Sequence, residues 1–304
     1  MFKYIKNKTN GNIILIYHSS FDQKDTERDK FIHNVTPNNV ITQINFLKDY
    51  YNIVPIDDIF SKNCGENNMA ITFDDGYENL FTTIVPELVK MKIHSTIFLI
   101  GNSFDKKIFW REKIIYLISN KYLFSEFKSL YSNKFKYPII LDSFYRDSKS
   151  YKFNSMNLDN CMDEFLTKKN ISLNTNLLSD KSKLVDNEYV NYGNHTLNHY
   201  VLSTLSYEQQ LNEIESNQKF LDSLNLNLSQ VFAFPFGGFP DFNQNTILAL
   251  TQLGINKVLL NNNLINQNTM KQLANSNVNY LERLTTSNNK YLFYYRMFKH
   301  IINI

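Results

Sequence analysis

Short runs of apolar and β-branched residues recur along the chain, each closed by a polar residue or a glycine and then followed by a longer stretch of helical periodicity. That alternation is the mark of βα units and of a parallel sheet whose strands are buried. Ile13 to Tyr17, Met69 to Phe73, Ser95 to Ile100, Tyr189 to Tyr192 and Val231 to Phe234 read as strands. They end at His18, Asp74, Gly101, Gly193 and Pro235 respectively. In a barrel of parallel strands the C-terminal strand ends gather on one face, so such closing residues become neighbours across the sequence. Ser206-Tyr-Glu-Gln209 has capping-box form, and Tyr207, Leu211, Ile214 and Leu221 follow at helical spacing, which predicts a helix directly after the His195 region.

Between about residues 105 and 188 the pattern degrades into Lys-, Asn- and aromatic-rich sequence holding Trp110, Tyr122, Phe124, Tyr131, Phe135 and Tyr137. This reads as an insertion between two barrel units, its aromatics forming a small core of their own or offering a face to a sugar. The Asn-rich run from Asn261 to Asn268 reads as a polar loop. No internal repeat is visible. A chain of 304 residues fits one decorated α/β core spanning 1–304.

Composition narrows the partners. A hydrophobic fraction of 43% is ample for a packed interior. The net charge of +3 arises from 32 basic and 29 acidic residues, a balance that argues against nucleic acid as a partner. Cys64 and Cys161 stand far apart and form neither a zinc knuckle nor a disulfide framework. The apolar run Ile13 to Ile16 is too short for a signal-peptide core, and no stretch approaches the roughly 18 apolar residues of a membrane span. The expected location is the cytoplasm. The C-terminal stretch from Tyr291 to Ile302 mixes aromatic, apolar and basic residues, as an interfacial helix does, so peripheral contact with a membrane is one expectation and packing on the barrel the other.

Three motifs carry the chemistry. Thr72-Phe-Asp-Asp-Gly-Tyr77 places adjacent carboxylates at the end of a buried strand, so that one can hold a cation while the other faces a substrate. Alone, Asp-Asp-Gly also suits an ordinary turn. Gly193-Asn-His-Thr-Leu-Asn-His199 sets two imidazoles four residues apart, a spacing that puts His195 and His199 on one side of a helical turn where they can share a cation. Phe232-Ala-Phe-Pro-Phe-Gly-Gly238 forms a turn that either simply ends a strand or presents the bare N–H of Phe236 to an oxyanion.

In this order the three motifs resemble the polysaccharide deacetylase (NodB-homology, carbohydrate esterase 4) family, and Ile14-Leu-Ile-Tyr-His18 resembles an N-terminal strand of many members. The resemblance implies a deformed (β/α)7 barrel and hydrolytic removal of N-acetyl groups from amino sugars. It implies Asp74 as general base, with Asp75, His195 and His199 holding a divalent metal, zinc or else cobalt, nickel or iron. Two departures stand out. The family's arginine two residues before the proline of the third motif is here Ala233, and its late Leu-x-His motif is here Leu281-Glu-Arg-Leu284. In place of the late histidine, His18 is read as the acid or orienting group or else as a hydrogen-bonded structural histidine, and Arg283 as bringing positive charge near Asp74 or else, the commoner outcome, as an exposed salt-bridging arginine.

The expected substrate is an N-acylated sugar, lipid-linked if the C-terminal segment meets a membrane, in surface polysaccharide or glycolipid synthesis. Alternatives are a deformylase or O-deacetylase acting on a lipid- or nucleotide-linked sugar, and a sugar-binding relic without catalysis.

Overall fold

In the computed structural model the described residues are 11–22, 30–61, 63–105, 107–173, 180–264, 266 and 270–301. Among these residues ten strands form one sheet: β1 (Ile13–Tyr17), β2 (Asn52–Ile53), β3 (Asn68–Asp75), β4 (Ser95–Leu99), β5 (Val190–Asn194), β6 (Leu228–Ala233), β7 (Lys257–Leu260), β8 (Lys271–Gln272), β9 (Asn279–Glu282) and β10 (Leu284–Thr285). The parallel path runs β1, β3, β4, β5, β6, β7, β9. β9 and β10 are one stretch of chain interrupted only at Arg283. Its first half pairs with β7, and its second half pairs with β1 at Leu15–Leu284 and Ile16–Thr285. Both ends of the sheet therefore rest on the same seven residues, which completes a deformed (β/α)7 barrel. The deformation lies at Arg283 and at a register shift between β5 and β6 near Tyr192 and Asn194.

The period-two alternation of each strand sorts its side chains into two cores. Ile14, Ala70, Phe98, Val231, Ala233, Leu259 and Leu281, drawn from six strands, pack with Ile56, Ile59 and Phe60 into a cluster that fills the barrel interior. Alternate residues such as Ile13, Leu15, Tyr17, Ile71 and Phe73 face the larger outer core shared with the surrounding helices. Asp74 and Arg283 continue the inward rows of Ala70 and Leu281, so both enter the barrel mouth above the Phe98 ring, over which the Arg283 guanidinium lies at 5.8 Å.

Five of the seven barrel strands were marked by their apolar runs, with β3 extending two residues further than expected and so containing Asp74 and Asp75. The helix Tyr207–Asp222 starts on Ser206 with a true capping box closed by Gln209. Between β4 and β5 lie the helices Trp110–Ser119, Lys121–Phe135, Phe144–Asp147 and Ser155–Lys168. Phe124, Phe127, Tyr131, Phe144, Phe153 and Phe165 give them an aromatic core, with the Phe127 and Phe165 rings 5.6 Å apart. The insertion's aromatics thus mostly serve its own packing, although Tyr122 stays exposed. The helix Lys290–Ile301 lays Phe293 and Met297 on the barrel and turns Tyr291 and Tyr295 outward. Cys161 is buried and Cys64 half-buried, both as free thiols.

Candidate metal centre and active site

Asp74, Asp75, His18, His195, His199 and Phe236 line one cavity of about 250 Å³ at the C-terminal end of the strands. Asp74 is 2% exposed and receives both ends of the Arg283 guanidinium, Nη1 to Oδ1 at 2.6 Å and Nη2 to Oδ2 at 2.8 Å. Such a two-point contact is the strongest form of an arginine–carboxylate pair. Burial works against the Asp74 charge, but the Arg283 charge and its hydrogen bonds outweigh it and hold the carboxyl below its usual range. Burial and then the neighbouring Asp74 push Asp75 well above its usual range. Two carboxylates side by side with one arginine between them call for a further positive charge if both are to be ionised.

The residues present fit a divalent cation there. Asp75 Oδ1 lies 3.6 Å from His195 Nε2 and 3.5 Å from His199 Nε2, and one ligand atom from each of the three residues falls within 4.8 Å of the others. Atoms about 2.1 Å from a common metal at tetrahedral angles would stand about 3.4 Å apart. The separations are too long for hydrogen bonds, and Asp75 Oδ1 and His195 Nε2 are buried with no partner among the described residues. His195 Nδ1 lies 2.8 Å from the Ala233 carbonyl, which can only accept, so the ring carries its proton there and turns a bare Nε2 to the site. Burial lowers the pKa of His195, and burial and then His195 lower that of His199 well below the ordinary value, so both rings are neutral, as ligands must be.

The two imidazoles do not meet through a helical turn. Residues 195–199 form an irregular loop in which Thr196 and His199 take φ of 64° and 59°, and helical spacing is replaced by polar anchoring. Glu213 on the helix Tyr207–Asp222 accepts from the Asn198 N–H at 2.8 Å and from its side-chain amide at 2.6 Å. Asn217 donates to Asn194 Oδ1 and to the Leu99 carbonyl, both at 2.9 Å, and Thr196 Oγ1 accepts the His199 N–H at 3.0 Å. Gly193 is required on the approach to this loop, since a Cβ there would land on the Phe98 ring.

Asp75 and Phe236 also hold left-handed backbone, at φ of 72° and 63°. Non-glycine residues in that region store strain of roughly 1 kcal/mol or more each, and such strain gathers at functional sites. The Phe236 N–H makes no hydrogen bond among the described residues, and the next residue, Gly237, donates back to Pro235 at 2.7 Å. His18 Nδ1 meets His33 Nδ1 at 3.2 Å, and His33 Nε2 meets the Thr286 carbonyl at 2.8 Å. The Thr286 carbonyl fixes the proton on His33 Nε2, so His18 must donate from Nδ1 and keep Nε2 bare. Burial, with His33 beside it, takes the His18 pKa down to about 3.

His33, Arg111, Tyr145 and Lys149 line the same cavity but had no sequence signal that set them apart. His33 is a single histidine outside any motif, and the other three lie in the insertion.

These features define the class: a parallel α/β barrel whose mouth carries an arginine-held carboxylate next to an Asp-His-His triangle. The chain belongs to the polysaccharide deacetylase family, whose sequence profile matches residues 61–133 and 159–258, more than half of its length. No curated protein is a significant match to it. Among solved structures, the Streptococcus pyogenes deacetylase PplD in complex with acetate is 16% identical with a TM-score of 0.57, covering 96% of this chain and 98% of that one. A de-N-acetylase from Aggregatibacter actinomycetemcomitans is 15% identical with a TM-score of 0.57, over 92% and 96% of the two chains. IcaB from Ammonifex degensii is 14% identical with a TM-score of 0.54, over 94% and 95%. At these identities the likeness is one of fold.

Proposed function

We propose that this protein is a metal-dependent hydrolase that removes N-acetyl groups from an amino sugar, with 1–304 as one catalytic domain carrying an insertion at about 105–188. The observation that carries the reading is the Asp75, His195 and His199 triangle set directly beside the Arg283-held Asp74. Family membership and the names of the similar structures point to the same chemistry.

Asp75, His195 and His199 would hold the cation. When bound it supplies Lewis acidity, polarising the amide carbonyl and making water easier to deprotonate. Asp74, kept ionised by Arg283, takes the proton of the attacking water. The free Phe236 N–H faces the oxyanion that develops on the carbonyl carbon's oxygen. His18, held neutral with Nε2 bare, accepts a hydrogen bond from substrate or water and so serves the orienting role better than that of a resident acid. The proton that Asp74 took from the water passes to the amide nitrogen as the C–N bond breaks, releasing acetate and a free amine and returning Asp74 to its ionised form.

Acetate release from N-acetylated glucosamine oligosaccharides, measured with purified zinc- or cobalt-loaded protein, tests this reading. We expect turnover that a chelator stops and added metal restores. No acetate from any N-acetylated sugar, with the metal bound, would refute it.

A further inference from the structure

One wall of the cavity carries positive charge that the hydrolytic reading does not use. Arg111, from the helix Trp110–Ser119, is 3% exposed and lines the cavity. Its Nη1 donates to Ser148 Oγ and its Nη2 to the Tyr145 carbonyl, both at 2.5 Å, and its guanidinium lies 3.9 Å from the Tyr145 ring centroid. All of these partners are neutral. No carboxylate stands within ion-pair distance of Arg111 among the described residues. A buried guanidinium normally has an anion, because neutral acceptors and ring faces do not replace what water gave it. Two of its five N–H donors are used in these bonds, which leaves donors for a ligand.

Lys149 stands at the edge of the same cavity, exposed. The acidic groups facing this wall are already engaged. Asp75 belongs to the metal triangle, and Asp241, which Lys149 feels, accepts the Gly238 N–H at 2.7 Å. With Arg283 cancelling Asp74, Arg111 is left without a carboxylate of its own, and Lys149 adds a second positive charge whose acidic neighbour is Asp241. Tyr145 and Phe31, with ring centroids 4.7 Å apart and planes tilted by 48°, add an aromatic surface next to them. A cavity of about 250 Å³ is small by the standard of ligand pockets and suits one substituted sugar ring.

We infer that the Arg111 and Lys149 wall binds a phosphoryl group on the substrate, so that the sugar is taken as a sugar phosphate or sugar diphosphate rather than as a neutral glycan. Arg111 grips the phosphoryl oxygens from within and Lys149 meets the outer charge. A phosphoryl group, with more oxygens and more charge than a carboxylate, makes fuller use of Arg111 and Lys149 together. The carrier beyond the phosphate is a nucleoside or a lipid, and both present the same group to this wall. The inference rests on the deacetylase reading for its sugar, but the anion site can be tested without turnover.

The experiment is calorimetric binding to zinc-loaded protein of N,N′-diacetylchitobiose, N-acetylmuramic acid, N-acetylglucosamine 1-phosphate, UDP-N-acetylglucosamine and polyprenyl-diphosphate N-acetylglucosamine in micelles, with acetate release followed in parallel. The phosphorylated ligands should bind about tenfold or more tightly than the disaccharide, as added charge-assisted bonds imply. Arg111→Gln and Lys149→Gln should each remove most of that preference, and Lys149→Gln, at an exposed position, keeps the test valid if Arg111→Gln does not fold. Whichever phosphorylated ligand binds best identifies the carrier. Equal affinity for neutral and phosphorylated ligands, a preference that survives Lys149→Gln, or muramate binding as tightly as the phosphates overturns the inference. Acetate release without phosphate preference sinks this inference alone, whereas phosphate-selective binding without acetate release sinks the deacetylase reading and leaves the anion site standing.

Discussion

Asp74 and Arg283 are 209 residues apart in sequence, yet they meet at 2.6 and 2.8 Å inside the barrel mouth. Ala233 stands where the family resemblance leads one to expect an arginine, and its main-chain carbonyl anchors His195. Positive charge for Asp74 comes from the strand that closes the barrel. Replacing Asp74 with Asn should lower kcat by roughly 1,000-fold or more while metal content stays at the wild-type level, as expected for loss of a positioned base together with its charge. Metal analysis and acetate release on the same sample check both halves. Arg283→Gln should shift the pH profile in a defined direction. The Asp74 pKa is depressed in the folded protein, so the ionised base is present above that low value and is lost only as pH falls through it. Without Arg283 the largest influence opposing burial is gone and the pKa rises, so the acid limb of kcat/KM should move to higher pH; an unmoved limb would remove Arg283 from this role. Breaking a buried pair should also lower stability by about 3–5 kcal/mol, readable in urea unfolding. The motif residues were legible as a set because their types and order are chemically unusual. His33 and Arg111 were not, because a single histidine or arginine gives no signal until the fold turns it into a cavity.

At the scale of elements, the helix Tyr207–Asp222 does more than cover the sheet. Its buried Glu213 and Asn217 hold the His195 to His199 loop in a left-handed path that the sequence alone would not adopt. The capping box at Ser206 and the apolar spacing marked this helix, but its polar inner face was invisible to a search for apolar periodicity. The four-residue spacing of the histidines pointed to the right pair for the wrong local reason. Asn217→Ala should weaken metal binding by about 10- to 100-fold, since groups that orient ligands carry effects of that size. Metal titration with a competing chelator measures it, and unchanged affinity would show that the loop holds itself. β7 and the β9–β10 stretch escaped detection because each is short and charged residues, Lys257 in the one and Glu282 and Arg283 in the other, interrupt the apolar run. The C-terminal helix uses Phe293 and Met297 to pack on the barrel, so of its two expected roles the packing one is seen. Liposome co-sedimentation should show little binding, and strong binding to anionic vesicles would mean that the outward Tyr291 and Tyr295 face a membrane.

For the whole molecule, closure and chemistry share one segment: residues 279–285 join β7 to β1 and deliver Arg283 to the site. The barrel class was legible from alternating βα units and their polar strand ends, whereas the closing geometry depended on pairings too distant in sequence to read. Among the described residues no helix is long and apolar enough to cross a membrane. Because the triangle draws on two separate parts of the chain, the cation should bind the folded state far better than the unfolded one. Saturating zinc at 100 times its dissociation constant should then stabilise the fold by about 2.7 kcal/mol, seen as a rise in Tm that His195→Ala abolishes. The most direct test of the account is an anomalous-scattering map of crystals grown with zinc, collected on both sides of the zinc absorption edge. The account predicts one strong peak bonded to Asp75, His195 and His199 and not to Asp74. A cavity without a peak, or a zinc ion bound elsewhere on the chain, would contradict it.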